Sequence, residues 1–196
     1  MVSDYDYPIG WVEQYIYDTK HILEIHWHQV YIIGLHAYGL VRHHFFRLLC
    51  MPMAGFNIVM TVRLLYHIIV YRPSLIYRHN IHRFCGWLPL CVAYICKINS
   101  CIMYHDLGYF SLYPSRVTKE SDIDLIFSQH RFLSGYHGLY RFFAYTKYRH
   151  LKLLHIALRK YVHIHLVPSE YMQRYVQDIV QVPSGRTSTL AHCLIS

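Results

Sequence analysis

Two histidines with polar neighbours, His79-Asn80 and His105-Asp106, are the residues in this chain best suited to chemistry. Imidazole gives and takes protons near neutral pH, and it can donate or accept a hydrogen bond at a reacting group. The chain holds 17 histidines, so most must be ordinary. These two differ in that each follows a short apolar run of the kind that forms a buried strand. His105, with Asp106 beside it, reads as a site residue at a strand end, against the plainer reading of a loop histidine. His79 and Asn80 either line a pocket or form a turn. Ser169, between Pro168 and Glu170, carries helix-start signals and reads as a cap rather than a nucleophile. His26 with His28, His43 with His44, and His163 with His165 invite a metal. No carboxylate or cysteine joins them at ligand spacing, so no metal site is expected.

Such residues need a scaffold, and the hydrophobic pattern supplies one. Residues 12–25 place Val12, Tyr15, Ile16, Thr19, Ile22 and Leu23 on a helical stripe. Residues 29–35 read as a buried strand and 45–50 as another. Residues 57–70 form a helix, capped by Asn57 and stopped by Pro73. Strands at 75–77 and 101–104 flank a helix at 88–96. A long basic amphipathic helix covers 138–161, followed by a strand at 162–167, a helix at 169–179 and a last short strand at 180–182. This alternation predicts an α/β fold, a doubly wound, mostly parallel Rossmann-like sheet. In such sheets ligands bind beyond the carboxyl ends of the strands. His79-Asn80, His105-Asp106, Ser169-Glu170 and the segment ending in Gly10-Trp11 all fall on that edge.

The composition sets limits on function. The chain has 196 residues, 54% of them hydrophobic and only 15% charged, enough for one sizeable core and too apolar for a disordered chain. Its 19 basic and 11 acidic residues leave a net charge of +8. No Asp or Glu occurs between Ile25 and His105, nor between Leu125 and Ser169. Phosphate groups or an anionic membrane surface are natural partners for such a surface. No helix-turn-helix, RNP or zinc-finger pattern is present, so nucleic acid is not expected. The six cysteines lack a C-x-x-C pair and sit among apolar neighbours; they read as reduced thiols of a cytoplasmic protein. The apolar stretch 84–104 is interrupted by Pro89, Lys97, Asn99 and Ser100, which favours a helix then a strand over a membrane span.

Short motifs in fixed order add a resemblance. Pro8-Ile9-Gly10-Trp11-Val12-Glu13 is followed by Trp27-His28-Gln29-Val30 and by Arg72-Pro73-Ser74-Leu75-Ile76-Tyr77-Arg78-His79-Asn80. Then come His105-Asp106, Val167-Pro168-Ser169-Glu170 and Val182-Pro183-Ser184-Gly185. Together these resemble the N-terminal half of a GT-B glycosyltransferase of the large retaining family called group 1 or family 4. The resemblance covers residues 2–185, with 186–196 an off-pattern tail, and it implies that the C-terminal donor domain with its E-x7-E carboxylates is absent.

The resemblance implies transfer of a sugar from a nucleotide diphosphate sugar, as substrate, to a glycan or lipid-linked acceptor. No further cofactor is implied. His105 and Asp106 fall at the catalytic position, and Gly10 and Trp11 at the donor-phosphate approach. His79, Asn80, Ser169 and Glu170 fall on the acceptor side. Localisation would be cytoplasmic, peripheral on the inner membrane face, with the chain inactive alone. The alternative is a non-catalytic membrane-associated or partner-binding protein that keeps the fold. Trp11 and Trp27 stand where the family has glycines, Ser74 where it has aspartate, and Tyr77 where histidine is common. Gly10 itself reads equally as a turn glycine.

Overall fold

The computed structural model describes residues 1–5, 11–35, 57–79, 81, 85–110 and 137–190. Six strands form one sheet: β1 (Val2–Tyr5), β2 (Ile33–Leu35), β3 (Leu75–His79), β4 (Asn99–Met103), β5 (Ile164–Val167) and β6 (Thr187–Thr189). Their order is β2-β1-β3-β4-β5-β6 and every pairing is parallel. Helices α1 (Trp11–Ile25), α2 (Ile58–Tyr71), α3 (Leu88–Ile95), α4 (Gly138–Tyr161) and α5 (Glu170–Asp178) alternate with them. Parallel neighbours need crossovers, and crossovers are right-handed. The chain moves one way along the sheet from β1 to β2 and the other way from β2 through to β6. Right-handed crossovers therefore put α1 on one face and α2 to α5 on the other, the doubly wound Rossmann-like arrangement. Helix α2 packs on α3, and α3 on α4, in one layer.

Local signals explain the helix ends. The Asn57 side chain accepts a hydrogen bond from the Met60 amide at 2.9 Å, and Met60, Leu64 and Ile68, spaced four apart, turn one stripe of α2 into the core. Ser169 caps α5 by accepting from the Met172 amide at 3.2 Å, with Glu170 in the first turn. The stretch 84–104 resolves into α3 and β4, and none of the described helices is long and apolar enough to cross a membrane. Cys85 and Cys101 are buried thiols, Cys85 donating to the Ser3 carbonyl at 3.2 Å, while Cys91 and Cys96 are partly buried.

Strand limits differ from expectation where a partner decides them. The strand expected at 29–35 is reduced to Ile33–Leu35, because the register Val2↔Ile33 carries residues 29–32 past the start of β1. β3 runs on to His79, so His79 ends a strand instead of opening a loop. β4 begins at Asn99 and ends at Met103, which moves its expected limits toward the chain start. The last strand is not at 180–182. Gln181 has φ 61°, a left-handed backbone that breaks extension, and Pro183 lacks the N–H of a ladder. Val180 and Val182 are buried as loop anchors, and the pairing passes to Thr187–Thr189 beside β5. The strand expected at 45–50 lies outside the described residues.

The turn after α1 accounts for one motif position. Trp27 has φ 65° and its side chain is 95% exposed, while the amides of Trp27 and His28 bond back to the carbonyls of Glu24 and Leu23. A left-handed residue at a helix end is glycine's natural place. A side chain there costs about 1–2 kcal/mol, partly offset by the greater chain entropy that glycine loses on folding. Trp27→Gly should therefore stabilise the fold by about 0.5–1 kcal/mol, a rise of about 1–4 °C in Tm by thermal unfolding.

Candidate functional site

The β3–β4 ladder runs in register from Leu75↔Asn99 to His79↔Met103. Side chains alternate across a sheet, so Tyr77, His79, Cys101 and Met103 share one face. His105, two residues past Met103, continues it. On that face His79 Nδ1 and His105 Nε2 lie 2.8 Å apart, both rings buried and stacked with centroids 5.1 Å apart. One of the two nitrogens must carry the proton and the other accept it, so each ring fixes the tautomer of its neighbour.

Helix α1 closes this face. The Tyr15 ring meets His79 and His105 edge-on, with centroids 5.9 and 5.3 Å away. Tyr77 packs on His79 at 4.2 Å. Burial, reinforced by a side-chain hydrogen bond with Tyr15, pushes the Tyr77 phenol far above its usual range. The strand order reverses between β1 and β3, which is where doubly wound sheets bind ligands. The histidine pair thus stands beside the switch point, held by strand ends below and aromatic rings above. It can hold or pass a proton and orient one polar group of a ligand.

The other expected residues divide. Asp106 turns into its own loop: an Oδ1 atom accepts from the Gly108 amide at 2.7 Å and caps the turn Leu107–Tyr109. Ser169 and Glu170 sit at the carboxyl end of β5, both exposed, with Ser169 engaged as the α5 cap. Gly10 and Asn80 lie outside the described residues, and Trp11 is known only as the first residue of α1. His163 and His165 have separate surroundings. His163 Nδ1 accepts from the Ser100 amide at 3.1 Å, and His165 Nδ1 pairs with the Tyr104 hydroxyl at 2.9 Å. Among the described residues no three His, Cys, Asp or Glu side chains converge as a metal site would require.

Tyr15 and Arg78 had no part in the sequence-based site. Tyr15 belongs to the apolar stripe of α1, and only the sheet register shows which residues it touches. Arg78, between Tyr77 and His79, points to the opposite face. It is fully buried, and among the described residues none of its three guanidinium nitrogens has a hydrogen-bond partner. The Cys85 and Tyr109 side chains interact with it electrostatically, and burial lowers its pKa to about 10, so it is still a cation at neutral pH. A buried charge without a partner is costly. Arg78→Met, which keeps the length and removes the charge, should raise stability by about 1–3 kcal/mol in urea unfolding; a loss instead would mean that the cation is neutralised in solution.

Two more histidines are built into the core. His155 Nε2 lies 2.7 Å from the Tyr109 carbonyl, and burial holds its pKa down to about 4 despite that bond. His165 is held down to about 3 by burial, with the Arg186 charge adding to it. Unfolded histidine takes up its proton near pH 6.5, so between that pH and these lowered values the unfolded chain binds more protons. The stabilisation from keeping both rings neutral is complete above about pH 6.5 and is lost as pH falls toward 4 and 3. Unfolding free energy measured against pH should drop across this window. Replacing His155 with Phe should reduce the slope there by about 1.4 kcal/mol per pH unit, whatever it does to stability at neutral pH.

Comparison with protein-family models, with curated proteins and with solved structures finds no match to this chain.

Proposed function

We propose that the chain is the N-terminal, acceptor-side domain of a retaining glycosyltransferase of the GT-B type, moving a sugar from a nucleotide diphosphate sugar to a glycan or lipid-linked acceptor. The observation that supports it is the His79–His105 pair, buried at the ends of adjacent strands beside the switch point. In this reading His105 offers a hydrogen bond to the transferred sugar, and such preorganised donors stabilise charge that develops at a reacting centre. His79 is a positioning residue that fixes the tautomer of His105. Asp106 shapes the turn behind it. The amino end of α1 would take the donor diphosphate, the role the resemblance implies for Gly10 and Trp11, since free amides and the helix dipole favour an anion there. The acceptor side would include Asn80, Ser169 and Glu170, as the resemblance implies. A second domain carrying E-x7-E holds the nucleotide.

Trp11 favours a second reading. It opens α1 at the place where the resemblance has a glycine, the residue type that best allows phosphate to approach a backbone closely. The chain would then be a non-catalytic binding protein with the fold retained. Histidine NMR of the chain combined with a donor domain, in the presence of sugar nucleotides, separates the two readings. The first expects the His79 and His105 imidazole signals to shift with uridine or guanosine diphosphate sugars, and those shifts to vanish in His105→Ala. It further expects His105→Ala to lower turnover by about 10²-fold when the chain is assayed together with a donor domain. A panel of sugar nucleotides that moves neither ring would sink the catalytic reading.

A further inference from the structure

Helix α2 is apolar on both sides. Its core stripe of Met60, Leu64 and Ile68 is buried, while Ile58, Val62, Leu65 and Ile69 on the opposite side are exposed, Ile58 and Ile69 at 65% each. A helix that is hydrophobic all round belongs in the interior of something. Among the described residues nothing covers its outer side.

The neighbouring helices extend that surface. Ile95, at the end of α3, is 74% exposed. On α4, Leu139, Phe142, Leu153 and Ile156 are exposed on the side away from the buried Leu151, Leu154 and Leu158. Among them stand Arg141, Arg149, Lys152, Arg159 and Lys160, all exposed. None of α2, α3 and α4 contains an acidic residue. Because these helices are neighbours in one layer, the apolar and basic groups share one side of the molecule.

From this we infer that the outer surface of the α2–α3–α4 layer docks on an anionic lipid bilayer. Leucine, isoleucine and phenylalanine would enter the boundary between headgroups and acyl chains, while the arginines and lysines reach lipid phosphates. The 24 residues of α4 span about 36 Å, and the helix would lie along the surface, since none of the described helices suits a membrane span. Charge decides against a second copy of this chain as the occupant. Two such faces packed together would oppose cation to cation with no carboxylate between them, whereas anionic headgroups complement them. The inference stands apart from glycosyl transfer and holds for either reading of the site.

Flotation with vesicles tests it. Vesicles of phosphatidylcholine with phosphatidylglycerol should carry the chain to the top of the gradient. Vesicles of phosphatidylcholine alone should carry far less, and 0.5 M salt should weaken the anionic binding severalfold. Val62→Ser with Ile69→Ser should cut binding at least fivefold, and so should Arg149→Glu with Lys152→Glu. All four side chains project from the outer surface, and circular dichroism checks that each variant is folded. Light scattering should find the lipid-free chain monomeric in dilute solution. The inference is overturned by binding that both double variants leave intact, by equal binding to neutral vesicles, by no binding, or by a dimer that Val62→Ser with Ile69→Ser dissociates.

Discussion

The parallel ladder between β3 and β4 is the constraint on which the rest of this molecule hangs. Its five paired positions are the longest register in the sheet, and buried backbone N–H and C=O groups leave a strand no freedom to slip. From that register follow the meeting of His79 with His105 on one face and the burial of Arg78 on the other. The neighbouring strand is tied in by the same logic. Ser100 donates its amide to His163, and its hydroxyl bonds the Tyr161 carbonyl at 2.9 Å, which fixes where α4 ends and β5 begins. Tyr109 then links the layers: its hydroxyl accepts from the Ile81 amide at 3.0 Å and its carbonyl meets His155 of α4.

Features governed by neighbours in the chain were legible in the sequence, and features governed by distant partners were not. Asn57 and Ser169 announce helix starts through side chains that reach amides three residues on, a purely local geometry. The bounds of α4 agree with expectation because a stripe of that length has many turns to declare its period. Strand ends depend on the register of another strand, which explains the shifts in β2, β3 and β4. β6 gave no apolar signal at all, since Thr187, Ser188 and Thr189 form a short strand that, among the described residues, pairs with β5 alone. Val180 and Val182 mislead for the converse reason: they are buried as a strand would be, but in a loop whose backbone turns left-handed between them.

The candidate site shows the same division. That His79 and His105 lie on the binding edge could be read from the alternation of elements, because each follows a β-rich run. That they touch each other could not, because a one-residue slip between β3 and β4 would send the two rings to opposite faces. Tyr15 is a sharper case. It is one member of an apolar stripe by sequence, and only the packing of α1 over the strand ends makes it a wall of the site.

Tyr77, Arg78 and His79 place three polar side chains in succession at the centre of a buried sheet, where strands are ordinarily continuous apolar runs. A sequence selected for stability alone would put valine or isoleucine at these positions. The alternation sends Tyr77 and His79 into the aromatic enclosure with Tyr15 and His105, and it sends the lone guanidinium of Arg78 the other way. Departures from local consistency gather at sites of function, where an unfavourable burial is tolerated for what it positions. That the departure falls beside the reversal of strand order, and not at the sheet edge where it would be cheap, is the physical reason to look for a ligand between β1 and β3.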